Sequence, residues 1–124
     1  MKLFLYGTLI EPAGFGRCAG RPIKHPPVPA ILHGYERVSL RGTRYPTLRR
    51  APRASVHGVI MRVNADMMMR LQNYESSRYR QIPVQLRTPH GRQKALCFMG
   101  DAPTKVAWRT DNWQKLMALR SRSF

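Results

Sequence analysis

Among the acidic side chains of this chain, Glu75 is the one best placed to exchange protons. The chain has only six aspartate and glutamate residues, so each can be weighed individually. Glu75 shares one face of a predicted helix with Met67, Leu71 and Tyr74, because positions i, i+4, i+7 and i+8 align on a helix. Burial and the negative end of its own helix would raise the pKa of this carboxyl, whereas Arg78 and Arg80 would lower it. Glu75 is therefore a candidate general base, and a structural ion pair with a nearby arginine is the alternative.

A second candidate site is the turn Gly7-Thr8-Leu9, which follows the segment Lys2–Tyr6. This segment is apolar and partly aromatic after its lysine, so it predicts a central, buried strand. Gly7 permits a tight turn in which backbone N–H groups remain unpaired and point outward. Such groups can form a small cradle for an anion. The alternative is an ordinary turn through which a strand leaves its sheet.

Histidine and cysteine residues show none of the spacings that mark metal sites or nucleophiles. The four histidines, His25, His33, His57 and His90, include no i, i+4 pair. The two cysteines, Cys18 and Cys97, are far apart and form no CxxC motif, so they are interpreted as small hydrophobic residues. No Walker, Rossmann or GxSxG glycine pattern is present. Neither a metal nor another cofactor is therefore predicted.

Short strands interspersed with short helices must position these residues. Strands are predicted at 31–40, with a bend near Gly34, at 56–63, and as a hairpin between 82 and 99. Helices are predicted at 11–20, after the N-cap Asn64, and after Asp111, and a basic, turn-rich segment is predicted at 41–52. There is no repeat and no evident boundary, so residues 1–124 are predicted to form a single α+β domain.

The charge of the chain is strongly positive. Its 22 lysine and arginine residues exceed its 6 acidic residues, which gives a net charge of +16. This charge indicates an anionic partner or substrate, or a solvated arginine-rich surface, and it predicts nonspecific affinity for nucleic acid. No apolar run reaches the roughly 20 residues of a membrane span, so no membrane partner is expected. The cysteine usage and the absence of a signal-peptide pattern predict a cytoplasmic protein.

Four segments, in this order along the chain, resemble the gamma-glutamylcyclotransferase-like proteins. The resemblance is greatest to the small branch that includes gamma-glutamylamine cyclotransferase. It extends over roughly residues 3 to 100 and depends on the order and spacing of the segments together. The segments are Tyr6-Gly7-Thr8-Leu9, Tyr45-Pro46-Thr47-Leu48, Gly58-Val59-Ile60, and Leu71-Gln72-Asn73-Tyr74-Glu75 followed by Tyr79-Arg80.

This resemblance implies a fold, a reaction and a set of site residues. The fold would be a small mixed β-barrel or sheet with peripheral helices. The reaction would release 5-oxoproline from a small gamma-glutamyl amide or amine, without a metal or cofactor. Glu75 matches the catalytic glutamate of the family and would act as general acid and base. The residues expected to bind substrate are Tyr6, Gly7, Thr8 and Leu9, which would hold the glutamyl unit, and Tyr45 and Tyr79, which would line the pocket.

A non-catalytic binding protein is the alternative to an enzyme. Such a protein would use the pocket for an anionic metabolite, or its basic surface for nucleic acid. The inward position predicted for Glu75 favours the enzyme. A pocket dedicated to polyanions would not place a carboxylate at its centre.

Overall fold

The computed structural model describes residues 1–7, 25–75 and 77–109 of the chain. These residues form six strands and one helix. In chain order the elements are β1 (Lys2–Leu5), β2 (Val28–Leu40), β3 (Pro46–Arg62), α1 (Ala65–Glu75), β4 (Tyr79–Thr88), β5 (Gly91–Gly100) and β6 (Pro103–Ala107).

Five of these strands close into a mixed barrel. They follow the order β3-β1-β5-β4-β2, and β2 pairs back onto β3. β1 pairs in parallel with β5, whereas the other pairings are antiparallel. β6 adds to the outside of β2 as a sixth strand. The predicted α+β fold, a small mixed barrel with a helix outside it, is confirmed.

β1 lies at the centre of this arrangement, as its composition predicts. Leu3 is opposite Met61 of β3 on one side and opposite Leu96 of β5 on the other. Leu3 and Leu5 pack in the same hydrophobic cluster as the buried residues of α1, whereas Phe4 packs with the buried side chains of the barrel strands. A strand with apolar residues on both faces therefore separates the barrel interior from the layer beneath the helix.

Local sequence signals position α1 after β3. The Asn64 side-chain oxygen accepts a hydrogen bond of 2.8 Å from the Met67 N–H, which confirms the predicted N-cap. Met67 and Leu71 are buried against the barrel, as the helical spacing predicts. Tyr74 was expected on this same face but is 47% exposed, because the inward stripe of α1 passes to one side of it. No helix in the described part of the chain is long and apolar enough to span a bilayer.

The second and third strands are longer than the sequence indicates. β2 contains the predicted strand and bend, with a register shift between His33 and Tyr35 and a positive φ of 85° at Gly34. The prediction of a turn-rich segment over 41–52 is wrong from Pro46 onward, since β3 begins there and pairs with β2. β6 was not predicted. The helices predicted at 11–20 and after Asp111 lie outside the described residues.

Candidate active site

The C-terminal end of α1 and the turn after β1 meet at one small cleft. Its lining includes the predicted site residues Tyr6, Gly7, Tyr45, Glu75 and Tyr79. The volume of the cleft is about 30 Å³, enough for a small polar group such as an ammonium or a carboxylate beside Glu75. Five of the seven residues predicted from the sequence are therefore brought together. The other two, Thr8 and Leu9, lie outside the described residues.

The Glu75 carboxyl is held in a desolvated position. The side chain is half-buried, and this burial raises its pKa from 4.5 to about 7. Within the described part of the chain, no lysine, arginine or histidine forms an ion pair with Glu75. A carboxyl with a pKa near neutrality can both accept and donate a proton at physiological pH.

Arg78 was expected to lower the pKa of Glu75, but it points to other partners. Its Nε and Nη2 atoms donate hydrogen bonds of 3.0 and 2.9 Å to Asp101 Oδ1. Its Nη1 atom donates to the backbone carbonyl of Arg41 at 2.9 Å. The bonded guanidinium lowers the pKa of Asp101, while burial alone dominates at Glu75. The alternative of a structural Glu75–arginine ion pair is therefore not found among the described residues.

Two buried tyrosines form rigid walls of the cleft. The Tyr79 hydroxyl donates a hydrogen bond of 2.7 Å to the Pro46 carbonyl, and the Tyr6 hydroxyl donates to the Phe98 carbonyl. Burial raises the pKa of both phenols well above its usual value, so both remain neutral. Their protons are committed to backbone carbonyls, which leaves Glu75 as the available proton carrier among the described residues that line the cleft. Tyr45 differs, since it is 42% exposed at the mouth.

Gly7 is required by its close approach to the proline ring of Pro46. A Cβ atom at this position would lie 2.5 Å from Cγ of Pro46, far inside van der Waals contact. The turn after β1 therefore packs directly against the segment that carries Tyr45. This contact sets the distance between the turn and the opposite wall of the cleft.

Thr47 supports the site, although no pattern in the sequence marked it as a site residue. Its side chain is fully buried, and its Oγ1 atom accepts a hydrogen bond of 2.8 Å from the Gly100 N–H. The Thr47 side chain also lowers the pKa of Tyr6, which offsets part of the rise that burial causes. Thr47 thus ties β3 to the end of β5 and acts on the residue before Gly7. It lies inside the Tyr45–Leu48 segment, but its partners are 41 and 53 positions away in the sequence, so local pattern gives no signal for them.

The described residues contain neither a cluster of metal ligands nor a reactive thiol. Across residues 1–7, 25–75 and 77–109, no group of three or more histidine, cysteine, aspartate and glutamate side chains could hold a metal ion. Cys97 is fully buried, and this burial raises the pKa of its thiol far above the usual range, so the group stays protonated. The interpretation of Cys97 as a small hydrophobic residue agrees with this position.

Comparison with known protein families identifies the family to which the chain belongs. Residues 3–115 match the family model described as gamma-glutamyl cyclotransferase, AIG2-like. The chain belongs to this family. A curated member, Protein AIG2 C from Arabidopsis thaliana, is 32% identical over 86 residues, which make up 68% of this chain. The match covers 51% of that relative, so the chain spans about half the length of the curated protein it matches.

Solved structures share the gamma-glutamyl cyclotransferase fold. A solution structure from Arabidopsis thaliana matches with a TM-score of 0.74 and 23% identity, covering 98% of this chain and 77% of that one. A structure titled gamma-glutamyl cyclotransferase matches with a TM-score of 0.68 and 16% identity, covering 83% of this chain and 68% of that one. At these identities the similarity to the solved structures establishes the fold.

Proposed function

We propose that this protein is a gamma-glutamyl cyclotransferase that releases 5-oxoproline from a small gamma-glutamyl amide or amine. Glu75 acts as general acid and base, and the Tyr6–Leu9 loop holds the glutamyl unit. Tyr45 and Tyr79 line the pocket around the substrate. The observation that carries the proposal is the position of Glu75. Its half-buried carboxyl, with a pKa of about 7, lines the same cleft as Tyr6 and Gly7.

The reaction needs a proton carrier beside the reacting nitrogen. The Glu75 carboxylate removes a proton from the substrate α-ammonium, and the resulting amine attacks the γ-carbonyl carbon of the same molecule. A new C–N bond closes the five-membered ring, and the bond from this carbon to the leaving nitrogen breaks. Two protons pass from the α-nitrogen to the leaving nitrogen, which departs as an ammonium. Atoms and charge balance without water or an external reagent.

Intramolecular attack supplies much of the rate. Well-oriented intramolecular nucleophiles reach effective molarities on the order of 10⁵ M or more. The protein needs to hold the glutamyl chain in a folded conformation and to move protons. A positioned acid–base group contributes about 10²- to 10⁴-fold. The small volume near Glu75 suits the α-amino group of the substrate, with the leaving amine directed toward solvent past Tyr45.

Backbone donors are the proposed anchor for the substrate. The N–H groups of Gly7, Thr8 and Leu9 would hydrogen-bond to the α-carboxylate of the glutamyl unit. Hydrogen bonds to a charged group contribute roughly 1.5–3 kcal/mol each. The contact between Gly7 and Pro46 supports this role, because it fixes the start of the turn relative to the cleft.

Direct detection of both products tests the proposal. The purified protein is incubated with a panel of gamma-glutamyl amines and gamma-glutamyl dipeptides, and the products are separated by chromatography with mass detection. We expect 5-oxoproline and free amine in equal amounts from at least one substrate. Release of glutamate in place of 5-oxoproline, or no release from any member of the panel at high protein concentration, would contradict the assignment.

A further inference from the structure

A second, larger cleft lies at the far end of the β4–β5 hairpin. Its volume is about 590 Å³, and its polar lining includes His33, Gln85, Arg87 and Arg92, which together are named the basic cleft here. Arg87 follows Tyr79 by eight positions on β4, which corresponds to about 26 Å along the strand. The basic cleft is therefore remote from Glu75 and plays no part in the proposed cyclisation.

Two arginines oppose each other directly in this cleft. Arg87 is the register partner of Arg92, and the next pair on the same face is Gln85 with Lys94. Side chains directly opposite on antiparallel strands are about 5 Å apart at Cβ, and like charges in this position destabilise a sheet. An anion between the two guanidinium groups would remove this repulsion.

Acidic side chains of the described residues do not neutralise these cations. Three of the carboxylates are engaged in ion pairs elsewhere, and the fourth, Glu75, lies in the other cleft. The ion pairs are Glu36–Arg49, Asp66–Arg70 and Asp101–Arg78. Among the residues that the structure describes, none of the ion pairs involves Arg87, Arg92 or Lys94. Within the described part of the chain, no carboxylate therefore neutralises the positive charge of the basic cleft.

The hairpin that carries the two arginines has a well-fixed turn. Gly91 has a positive φ of 99°, a conformation that glycine adopts without strain. The Thr88 hydroxyl donates a hydrogen bond of 2.8 Å to the Gly91 carbonyl and accepts one of 3.1 Å from the His90 N–H. Arg87 and Arg92 stand immediately beside this turn, so their backbone positions are set before any ligand binds.

We propose that the basic cleft binds the sugar–phosphate backbone of a single nucleic-acid strand. Guanidinium groups match phosphate oxygens by paired hydrogen bonds. The Arg87–Arg92 and Gln85–Lys94 pairs are spaced by roughly 7 Å along the hairpin, so positive charge repeats in one direction, as phosphates do along a strand. One free phosphate would need only the first pair. This role goes beyond the proposed cyclotransferase activity and does not depend on it.

Fluorescence anisotropy with a labelled single-stranded oligonucleotide, over a series of salt concentrations, tests the proposal. The double variant Arg87→Gln/Arg92→Gln is compared with Arg44→Gln/Arg80→Gln, which removes the same charge from exposed positions at the opposite end of the barrel. The cleft variant should bind roughly tenfold more weakly than the control and should reduce the slope of log K against log salt by about 1.4. Thermal unfolding of both variants confirms that each is folded.

Three results would overturn the proposal that the basic cleft binds a nucleic-acid strand. Equal losses of affinity in the two double variants would show that net charge alone attracts the strand, and this would overturn the assignment to the cleft. Failure of the wild-type chain to bind the oligonucleotide would also overturn it. Displacement of the oligonucleotide by a mononucleotide at equal phosphate concentration would identify a small phosphate compound as the ligand and contradict the proposal.

Discussion

Arg78 donates two hydrogen bonds to Asp101, at 2.9 and 3.0 Å, although it follows Glu75 by three residues. The cation nearest to Glu75 in the sequence is thus paired with another carboxylate. Burial then determines the pKa of Glu75, which rises to about 7. We therefore expect the pKa of Glu75 to respond when Arg78 loses this partner.

The pH dependence of turnover should report this arrangement. Because Glu75 must be ionised to accept a proton, kcat/KM should rise with pH on the acid side, with its midpoint near pH 7, and level off about one unit above that midpoint. In Asp101→Asn, Arg78 loses its carboxylate partner and can approach Glu75, so the acid limb should move to lower pH by up to about one unit. Initial rates across pH 5 to 9 measure both profiles. An acid limb near pH 4.5 in the wild-type protein would contradict the raised pKa.

Glu75→Gln should stabilise the fold above neutral pH. The native Glu75 binds its proton more tightly than the unfolded chain does, so between about pH 4.5 and 7 the unfolded state holds fewer protons and stability falls as pH rises. At pH 8 the substitution should therefore raise the free energy of unfolding by at most about 3 kcal/mol, whereas at pH 4.5 it should be nearly neutral. Urea unfolding at the two pH values measures the difference.

Glu36→Gln is the matched control for this measurement. Glu36 is hydrogen-bonded to Arg49, so removing its charge should be neutral or cost up to about 1 kcal/mol at pH 8. Opposite signs for the two glutamine variants at pH 8 would identify a stability cost specific to the buried carboxyl. A destabilised Glu75→Gln at that pH would count against desolvation as the source of the raised pKa.

Thr47→Val should destabilise the barrel near the site. The substitution keeps the shape of the side chain but leaves the partly buried Gly100 N–H without the hydrogen bond it donates to Thr47. An unsatisfied buried donor costs about 1–3 kcal/mol. Thr104→Val, at a partly exposed hydroxyl on β6, serves as control and should cost less. Chemical denaturation compares the two, and equal small losses would show that the Thr47 hydroxyl has no special role.

Gly7→Ala should reduce turnover by displacing the turn after β1. The added methyl group would meet Pro46 at 2.5 Å, so one of the two backbone segments must move. A displacement of about 1 Å in a substrate-positioning group can cost on the order of 10²-fold in rate. Measurement of kcat/KM, with a thermal unfolding curve to verify folding, tests this expectation. Wild-type kcat/KM in a folded Gly7→Ala variant would remove the turn from the substrate site.

Secondary-structure elements could be predicted from the sequence where the pattern that marks them lies within a few neighbouring residues. The apolar run of β1, the N-cap at Asn64 and the alternation of the β4–β5 hairpin are signals of this kind, and the structure confirms all three. The early start of β3 at Pro46 was missed because its basic, proline-containing sequence resembles a loop. Pairing with β2 stabilises it as a strand, and such pairing between distant segments leaves no local trace.

The candidate site also combines features that local sequence patterns predict with features that depend on contacts between distant segments. Helical spacing predicted that Glu75 faces inward, and the resemblance indicated that Tyr6, Gly7, Tyr45 and Tyr79 would surround it. The carboxyl's raised pKa could not be predicted, because it depends on where Arg78 points. The partner of Arg78 is Asp101, 23 residues further along, and only the folded barrel brings the two together.

The most direct test of the account is the turnover of Glu75→Gln on a gamma-glutamyl amine that the wild-type protein converts. Glutamine keeps the size and hydrogen-bonding capacity of the side chain but cannot accept the ammonium proton. We predict that release of 5-oxoproline falls by about 10²- to 10⁴-fold while the circular dichroism and unfolding curves remain those of a folded protein. A folded Glu75→Gln protein with full activity would contradict the central claim.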